Sequence, residues 1–200
     1  MLTEPQKNFF DTFGYLFFPG LLADIIDEIT DAFEAVWEEH GGSLNGDPKY
    51  HHAHSGIVPF IDQHERLCAL LDDPRIHDLF CSLLGDDFNY MGSYGNYHGG
   101  ESHWHSDSFK DVVRTVKIVL YLDPLTRDTG ALRFIPGSHM IGDRFTTVLQ
   151  DNKADRIEEF LGITAAEVPA VALETNPGDL AIFNLNTKHG SFGGTTWRRM

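Results

Sequence analysis

The first 85 residues place hydrophobic side chains at the three- and four-residue spacing of amphipathic helices. Thr3 followed by Gln6 is typical of a helix start, because each side chain can bond to the backbone of the other. Apolar residues from Leu22 to Trp37 then mark one face of a long helix, and Gly41-Gly42 ends it. This pattern predicts that the chain opens with helices that pack against a core.

Two shorter helical segments follow and separate at Asp73-Pro74, since proline is rarely tolerated inside a helix. Between the first helices, residues 14–18 form a short apolar run that favours a strand, while residues 43–60 favour a loop. We therefore expect an α-helical N-terminal third over residues 1–85.

After Gly85 the pattern changes to short runs of β-branched and aromatic residues separated by glycine, proline and aspartate turns. Several short strands at regular spacing are typical of a sandwich or barrel. The remainder is therefore expected to be mainly β, with the helices flanking it. The expected strands lie near residues 88–97, 102–108, 113–122, 131–136, 168–174, 179–184 and 188–192, with a last strand from Trp197.

A length of 200 residues suits one domain with a substantial core. We divide it into the helical part and a β core over residues 86–200. Residues 154–161 favour one helix within that core. Because long connections in compact domains often cover a site, residues 140–167 are expected to form a lid over the substrate.

Composition narrows the classes of partner. Fifteen basic against thirty acidic side chains give a net charge of −15, which repels phosphate backbones and anionic lipids. No nucleic-acid or membrane partner is therefore expected. The N-terminus lacks a signal-peptide core, and Cys68 and Cys81 suit reduced thiols, so we expect a cytoplasmic protein, either monomer or homodimer.

The segment His103-Trp104-His105-Ser106-Asp107 carries the candidate chemistry. Alternate side chains of a strand share a face, so His105 and Asp107 are expected to reach one ion, with a second histidine arriving from a distant strand. Two histidines and one carboxylate leave open positions for a bidentate keto acid and dioxygen on Fe(II). Alone, a histidine two residues before an aspartate is more often a surface pair.

A second segment strengthens the metal interpretation. His189 is followed by a Gly193-Gly194 turn and then by Arg198 and Arg199. A two-residue hairpin turn would pair His189 with Arg198 on one face and direct Arg199 away. A guanidinium there suits the far carboxylate of 2-oxoglutarate, although an odd-length loop would exchange the two arginines.

Four stretches of the chain form a combined pattern. They are Leu2-Thr3-Glu4-Pro5-Gln6 through Pro19-Gly20-Leu21, His105-Ser106-Asp107, Thr129-Gly130-Ala131-Leu132-Arg133-Phe134-Ile135-Pro136-Gly137-Ser138-His139, and Pro177-Gly178-Asp179 with His189-Gly190-Ser191 and Arg198. Together they resemble the phytanoyl-CoA dioxygenase family of 2-oxoglutarate oxygenases, and the resemblance runs from Thr3 to the end.

This resemblance implies a double-stranded β-helix (jelly roll) with flanking helices. It implies that His105, Asp107 and His189 bind Fe(II), and that Arg198 and Ser191 bind 2-oxoglutarate. The implied reaction consumes dioxygen, hydroxylates an unactivated C–H bond of a small molecule, and releases succinate and carbon dioxide.

Three features depart from the family pattern. Ser106 stands where many members carry glutamine, so one contact to the co-substrate is expected to differ. Arg198 follows His189 more closely than usual. The chain stops at Met200 as the last strand should begin, which predicts a truncated sequence or a different closure, with a weakly held Arg198.

Other residues leave alternatives open. His103 could replace His105 as a ligand, as in a cupin-type metalloenzyme that needs no keto acid, and a non-catalytic binding protein of the same fold is a second alternative. Lys117 could bind the co-substrate carboxylate instead of Arg198. Tyr94 and Asn96 alternate on a predicted strand and are expected to line the site.

The remaining candidates receive structural interpretations. Arg133 is expected to face solvent between two apolar strand residues. His139 is expected to be structural or pocket-lining. His51, His52 and His54 are expected to form a loop near the pocket rather than a second metal site.

Overall fold

A computed structural model describes residues 1–41, 54–108, 113–140, 161–195 and 197–200. The helices are α1 (Glu4–Phe13), α2 (Ile26–Glu39), α3 (Glu65–Cys68) and α4 (Pro74–Leu84). The strands are β1 (Tyr15–Phe18), β2 (His54–Ile57), β3 (Gly95–His98), β4 (Ser102–His105), β5 (Val116–Leu120), β6 (Leu132–Phe134), β7 (Val171–Leu173), β8 (Leu180–Asn184), β9 (His189–Ser191) and β10 (Arg198–Arg199).

Local sequence signals set the ends of the helices. The predicted capping box at the start of α1 is confirmed, since the Thr3 and Gln6 side chains bond to each other's backbone amides. Gly14 ends α1 in the left-handed conformation, at φ 85°, where a side chain would be strained. The predicted break at Asp73-Pro74 is also confirmed, because the Asp73 carboxylate caps α4.

The strands form three antiparallel sheets. Their orders are β1-β8-β5, β10-β3-β2 and β4-β9-β6-β7. The first two are linked, because the Leu122 amide just after β5 donates to the Arg199 carbonyl of β10 at 3.1 Å. Met200 continues the pairing of β10 with β3 through two backbone hydrogen bonds to Asn96.

The core divides on the two faces of strand β8. Leu180 and Ile182 belong to a cluster with the helices, whereas Ala181 and Phe183 belong to a second cluster with Phe134 of β6. Since alternate residues of a strand point to opposite faces, helices cover one face of β8 and the β4-β9-β6-β7 sheet covers the other. The candidate site lies on this second, sheet-facing side.

The observed elements adjust several predictions. The expected strand at 14–18 is confirmed as β1, but the expected loop at 43–60 is wrong for residues 54–57, which pair with β3 as β2. The strand expected at 88–97 begins only at Gly95.

Parts of other predictions lie outside the described residues. These include His51, His52, the side chain of His54, and all of the helix expected at 154–161 except Leu161. Within the described ranges, no helix is both long and apolar enough to cross a membrane.

Candidate metal centre

His105, Asp107 and His189 come together where β4 meets β9. His105 is the last residue of β4 and pairs with His189, the first residue of β9. Asp107 lies just beyond the end of β4 rather than within it, and its amide donates to the Leu185 carbonyl at 3.1 Å. One ligand atom from each of the three side chains lies within 4.8 Å of the other two.

The spacing of these atoms suits a shared ion better than direct bonding. His105 Nε2 lies 3.7 Å from Asp107 Oδ1, and His189 Nε2 lies 3.7 Å from Asp107 Oδ2. Both distances exceed a hydrogen bond. The three side chains therefore converge on one point without satisfying one another.

Backbone carbonyls orient both imidazoles. His105 Nδ1 donates to the His103 carbonyl at 2.7 Å, and His189 Nδ1 donates to the Thr187 carbonyl at 2.9 Å. Each bond holds the proton on Nδ1 and leaves the lone pair of Nε2 for a metal. Burial, with the adjacent His105, lowers the pKa of His189 to about 4, so its ring is neutral at physiological pH, as metal binding requires.

Lys117 favours the ionised form of Asp107, the third candidate ligand. Burial alone would raise the pKa of Asp107, but the Lys117 ammonium and the His189 ring outweigh it and hold that pKa below its ordinary value. Lys117 Nζ donates to Asp107 Oδ2 at 2.9 Å. Lys117 thus lies beside the candidate metal ligands, whereas its binding to the co-substrate carboxylate stays an untested alternative.

Arg198 reaches the same side of the molecule by a different route from the predicted hairpin. The expected pairing of His189 with Arg198 is wrong, because β9 pairs with β4 and β6, whereas Arg198 of β10 pairs with His98 of β3. The chain after β9 crosses to another sheet instead of folding back. Arg199 points to the opposite face, where it binds Asp123 and Glu34.

The Arg198 guanidinium is buried without an acidic partner. The residue is 2% exposed, and Nη2 donates to the Gly100 carbonyl at 3.0 Å and to Ser191 Oγ at 2.8 Å. Nε and Nη1 have no acceptor among the described residues. A weakly held Arg198 is therefore not observed. Because a buried cation with unpaired donors is costly, this pocket suits an anion.

Asn96 and Tyr94 occupy different places. The backbone of Asn96 pairs with Met200, two residues from Arg198, so both side chains lie on the same face of the sheet. Asn96 is buried, and its Oδ1 has no partner in the described part of the chain. Tyr94 precedes β3, is 62% exposed, and its ring centroid lies 6.0 Å from Lys117 Nζ.

The predictions for Arg133 and His139 can be compared with their observed contacts. Arg133 does not face solvent: it is 5% exposed and donates to the Ala166 and Arg127 carbonyls, because residues 161–168 cover it. These residues are the described end of the predicted lid, and they pack on the sheet face opposite the triad. His139 has a structural contact, with Nε2 3.1 Å from the Asp11 carbonyl.

A buried lysine behind the triad was missed. Lys188 is 4% exposed, and its Nζ donates to Ser106 Oγ at 2.6 Å, while that hydroxyl donates to the Asn186 carbonyl. The chain from His105 to Asp107 is thereby tied to the chain entering β9. A lysine next to a histidine gives no local signal for this, since the contact spans 82 residues.

Removal of the Ser106 hydroxyl is expected to destabilise the protein more than removal of the Lys188 charge. In Ser106→Ala, the Lys188 ammonium keeps only the Asn186 carbonyl, at 3.4 Å, as an acceptor among the described residues. We expect this loss to lower the free energy of unfolding by about 1–3 kcal/mol. Lys188→Met removes the charge that must be buried, so its cost is expected to be smaller. Urea unfolding of both variants and of the double variant measures this order.

The double variant is the control for this prediction. It should regain part of the stability lost in Ser106→Ala, because no buried charge remains unpaired. If the losses in the free energy of unfolding of the two single variants simply add in the double variant, Ser106 and Lys188 do not stabilise each other and the prediction is wrong.

Comparison with known proteins places this geometry in context. A family profile described as phytanoyl-CoA dioxygenase (PhyH) matches residues 10–200. An ectoine dioxygenase from Sphingopyxis alaskensis is 26% identical over 231 aligned residues, which cover 98% of this chain and 72% of that protein.

Solved structures share the fold. EctD from S. alaskensis with 2-oxoglutarate and 5-hydroxyectoine gives a TM-score of 0.71 at 21% identity, covering 99% of this chain and 73% of that one. The non-haem α-ketoglutarate-dependent carbocyclase SnoK from nogalamycin biosynthesis gives 0.78 at 18% identity, covering 99% and 81%.

Proposed function

The chain belongs to the phytanoyl-CoA dioxygenase family of 2-oxoglutarate-dependent oxygenases, and from this premise we propose that it hydroxylates an unactivated C–H bond of a small molecule. The proposed cofactor is Fe(II), held by His105, Asp107 and His189. The proposed co-substrate is 2-oxoglutarate, which is released as succinate and carbon dioxide. When bound, the metal supplies the activation of dioxygen.

The observation that supports this proposal is the convergence of His105, Asp107 and His189 close to the buried Arg198 guanidinium. This guanidinium has no acidic partner among the described residues. Each imidazole presents Nε2 to the same point as the Asp107 carboxylate. Arg198 offers two donor nitrogens, Nε and Nη1, that have no acceptor among the described residues, from a site closed to solvent. A keto acid with a second carboxylate joins these two features, because one end chelates a metal while the other end accepts from a guanidinium.

Neighbouring residues have defined tasks in this arrangement. Ser191 and Ser102 share a hydrogen bond at 3.1 Å, and Ser191 also orients Arg198, so these side chains fix the guanidinium before any ligand arrives. The buried Oδ1 of Asn96 has no partner among the described residues, so it can accept a hydrogen bond from a ligand or a water in the site. Phe134 and Phe183 pack against His189 and exclude water from that ring.

The finer architecture proposed for this site is a double-stranded β-helix. Its support is the arrangement of one extended sheet, built from β1-β8-β5 and β10-β3-β2 through the Leu122–Arg199 hydrogen bond, facing the sheet β4-β9-β6-β7. The triad and Arg198 then belong to facing sheets, with the site between them.

An anaerobic titration tests the proposed function. Purified apo-protein receives Fe(II) and then 2-oxoglutarate, and a visible charge-transfer band is expected only when both are present. If the protein binds the metal tightly but 2-oxoglutarate does not bind and produces no charge-transfer band, the cupin-type alternative is favoured. A folded protein that binds no iron would contradict the enzyme and favour a binding protein.

Ectoine is the first compound to test for activity, since the related protein is named for its action on it. Ectoine-dependent succinate release would identify the substrate. Its absence alone would leave the chemistry proposed for the metal site in place, because the titration reports that chemistry separately.

A further inference from the structure

Lys117 lies beside the triad and is partly exposed to solvent. It pairs with Phe183 across β5 and β8, and its ammonium contacts Asp107 Oδ2 at 2.9 Å. Its side chain is 39% exposed, whereas that of His189 is 5% exposed. The rings of Tyr94 and Phe183 each have their centroid 6.0 Å from Nζ. Lys117 thus lies beside the triad at a partly exposed position, like His105, whose side chain is 46% exposed.

The Lys117 ammonium has N–H donors that are not used within the described residues. A lysine carries three N–H donors, and Asp107 is the one acceptor that the described residues provide for Lys117. Two donors therefore remain for a ligand without breaking the contact to Asp107. An ion pair at this level of exposure contributes little to stability by itself, so folding does not explain why a lysine stands here.

The net charge of the filled site indicates which kind of group the free N–H donors of Lys117 would bind. The positive charges of Fe(II) and Arg198 balance the negative charges of the Asp107 carboxylate and of the two carboxylates of 2-oxoglutarate. Lys117 then remains as one uncompensated positive charge beside the triad. Lys188 does not change this count at the substrate side, because it is buried and turned to Ser106. A single negative charge on the substrate would neutralise the filled site.

We propose that Lys117 determines substrate specificity by binding the carboxylate of a small monocarboxylate substrate next to the candidate metal ligands, while the exposed ring of Tyr94 contacts its carbon skeleton. This inference rests on the proposed function. It assigns Lys117 to the substrate and Arg198 to the co-substrate, so the two cations divide two anions between them. A monoanion matches the single free charge, and a planar carboxylate can accept from both remaining donors.

Matched acid and amide probes test this assignment. Hexanoate and phenylacetate are compared with hexanamide and phenylacetamide on the metal-loaded protein, with 2-oxoglutarate at saturation so that Arg198 is occupied. Dissociation constants are measured by ligand-observed NMR with Zn(II) in place of iron, and succinate release is measured separately with iron in air. At least one acid is expected to bind about 10- to 100-fold more tightly than its amide.

Three variants locate the effect. Lys117→Met is expected to remove the preference for the acid while keeping the charge-transfer band, and Lys117→Arg is expected to keep part of the preference. Lys7→Met on α1 removes the same charge from an element without triad residues, and it should behave as the unsubstituted protein.

Each contrary result has a separate meaning. Equal binding of acids and amides, no binding of any acid, or an unchanged preference in Lys117→Met would overturn the proposal. Loss of the band in folded Lys117→Met alone would make Lys117 a positioning residue for Asp107 and would also overturn it. Absence of the band in the unsubstituted protein would instead contradict the proposed function.

Discussion

His189→Ala is expected to abolish the Fe(II)- and 2-oxoglutarate-dependent charge-transfer band and to stop succinate release. His189 presents its Nε2 to the triad from a nearly closed site, where no water replaces it readily. Loss of an outer-shell partner of a ligand already costs about 10- to 100-fold in metal affinity, so loss of the ligand itself should exceed that range. Fe(II) titration followed by visible absorbance measures the change.

His103→Ala is the matched control, and it also decides the cupin-type alternative. The His103 side chain is exposed, and only its backbone carbonyl contacts the site, through His105 Nδ1. Alanine preserves that carbonyl, so metal binding should be unchanged, while His105→Ala should lose it. Loss of metal in His103→Ala with retention in His105→Ala would reverse the ligand assignment.

A second control separates the ligand from the packing. Phe134 and Phe183 contact the His189 ring, so alanine also leaves a cavity and lowers the free energy of unfolding. His189→Gln keeps most of the volume and should lose the band with a smaller loss of stability. A band in folded His189→Gln as strong as in the unsubstituted protein would count against His189 as a ligand.

The triad could be predicted because its information is local. His105 and Asp107 are two residues apart, and His189 follows a turn and an apolar strand that mark a sheet element. The reason given for the shared face was only partly right, since β4 ends at His105 and contains a register shift, and Asp107 is held by the Leu185 carbonyl. Close spacing thus brings the ligands together even where strand alternation fails.

The register of Arg198 could not be predicted for the opposite reason. A Gly-Gly turn favours a hairpin, but hydrogen bonds with distant strands outweigh this local preference. Arg198 nevertheless faces the site because its pairing with His98 places it on the inner face, and Arg199 takes the outer one. The two arginines lie on the predicted faces although the predicted strand pairing was wrong, and the binding of 2-oxoglutarate by Arg198 stays a prediction.

Contacts between distant segments explain why the environments of three buried or partly buried cations were not predicted. Lys117, Lys188 and Arg133 each look like ordinary strand or loop cations in the sequence, and each binds a group supplied from another segment. The helix starts at Thr3 and Asp73 were predictable because caps depend on neighbouring residues. A sequence therefore shows local caps and close ligand pairs, whereas the partners of buried cations depend on the assembled fold.

Arg198→Met is expected to weaken 2-oxoglutarate binding without lowering the stability of the apo-protein. Removing one member of a buried charge pair costs about 2–5 kcal/mol of binding, or roughly 30- to several-thousand-fold in affinity. In the apo-protein the guanidinium has no acidic partner among the described residues, and burial lowers its pKa, so the charge opposes folding. Thermal unfolding and titration of the charge-transfer band with 2-oxoglutarate measure the two effects.

Arg199→Met should show the reverse behaviour and serves as the matched neighbour. Arg199 binds Asp123 at 2.6 Å and Glu34 at 2.7 Å on the outer face, so methionine breaks this network and should cost about 1 kcal/mol of stability. Its affinity for 2-oxoglutarate should stay unchanged, because no keto acid reaches that face. Opposite responses of two adjacent arginines cannot arise from general damage to β10, since both substitutions lie in the same two-residue strand. If Arg199→Met instead weakened 2-oxoglutarate binding while Arg198→Met did not, the co-substrate would belong to the outer arginine and the proposed pocket would be wrong.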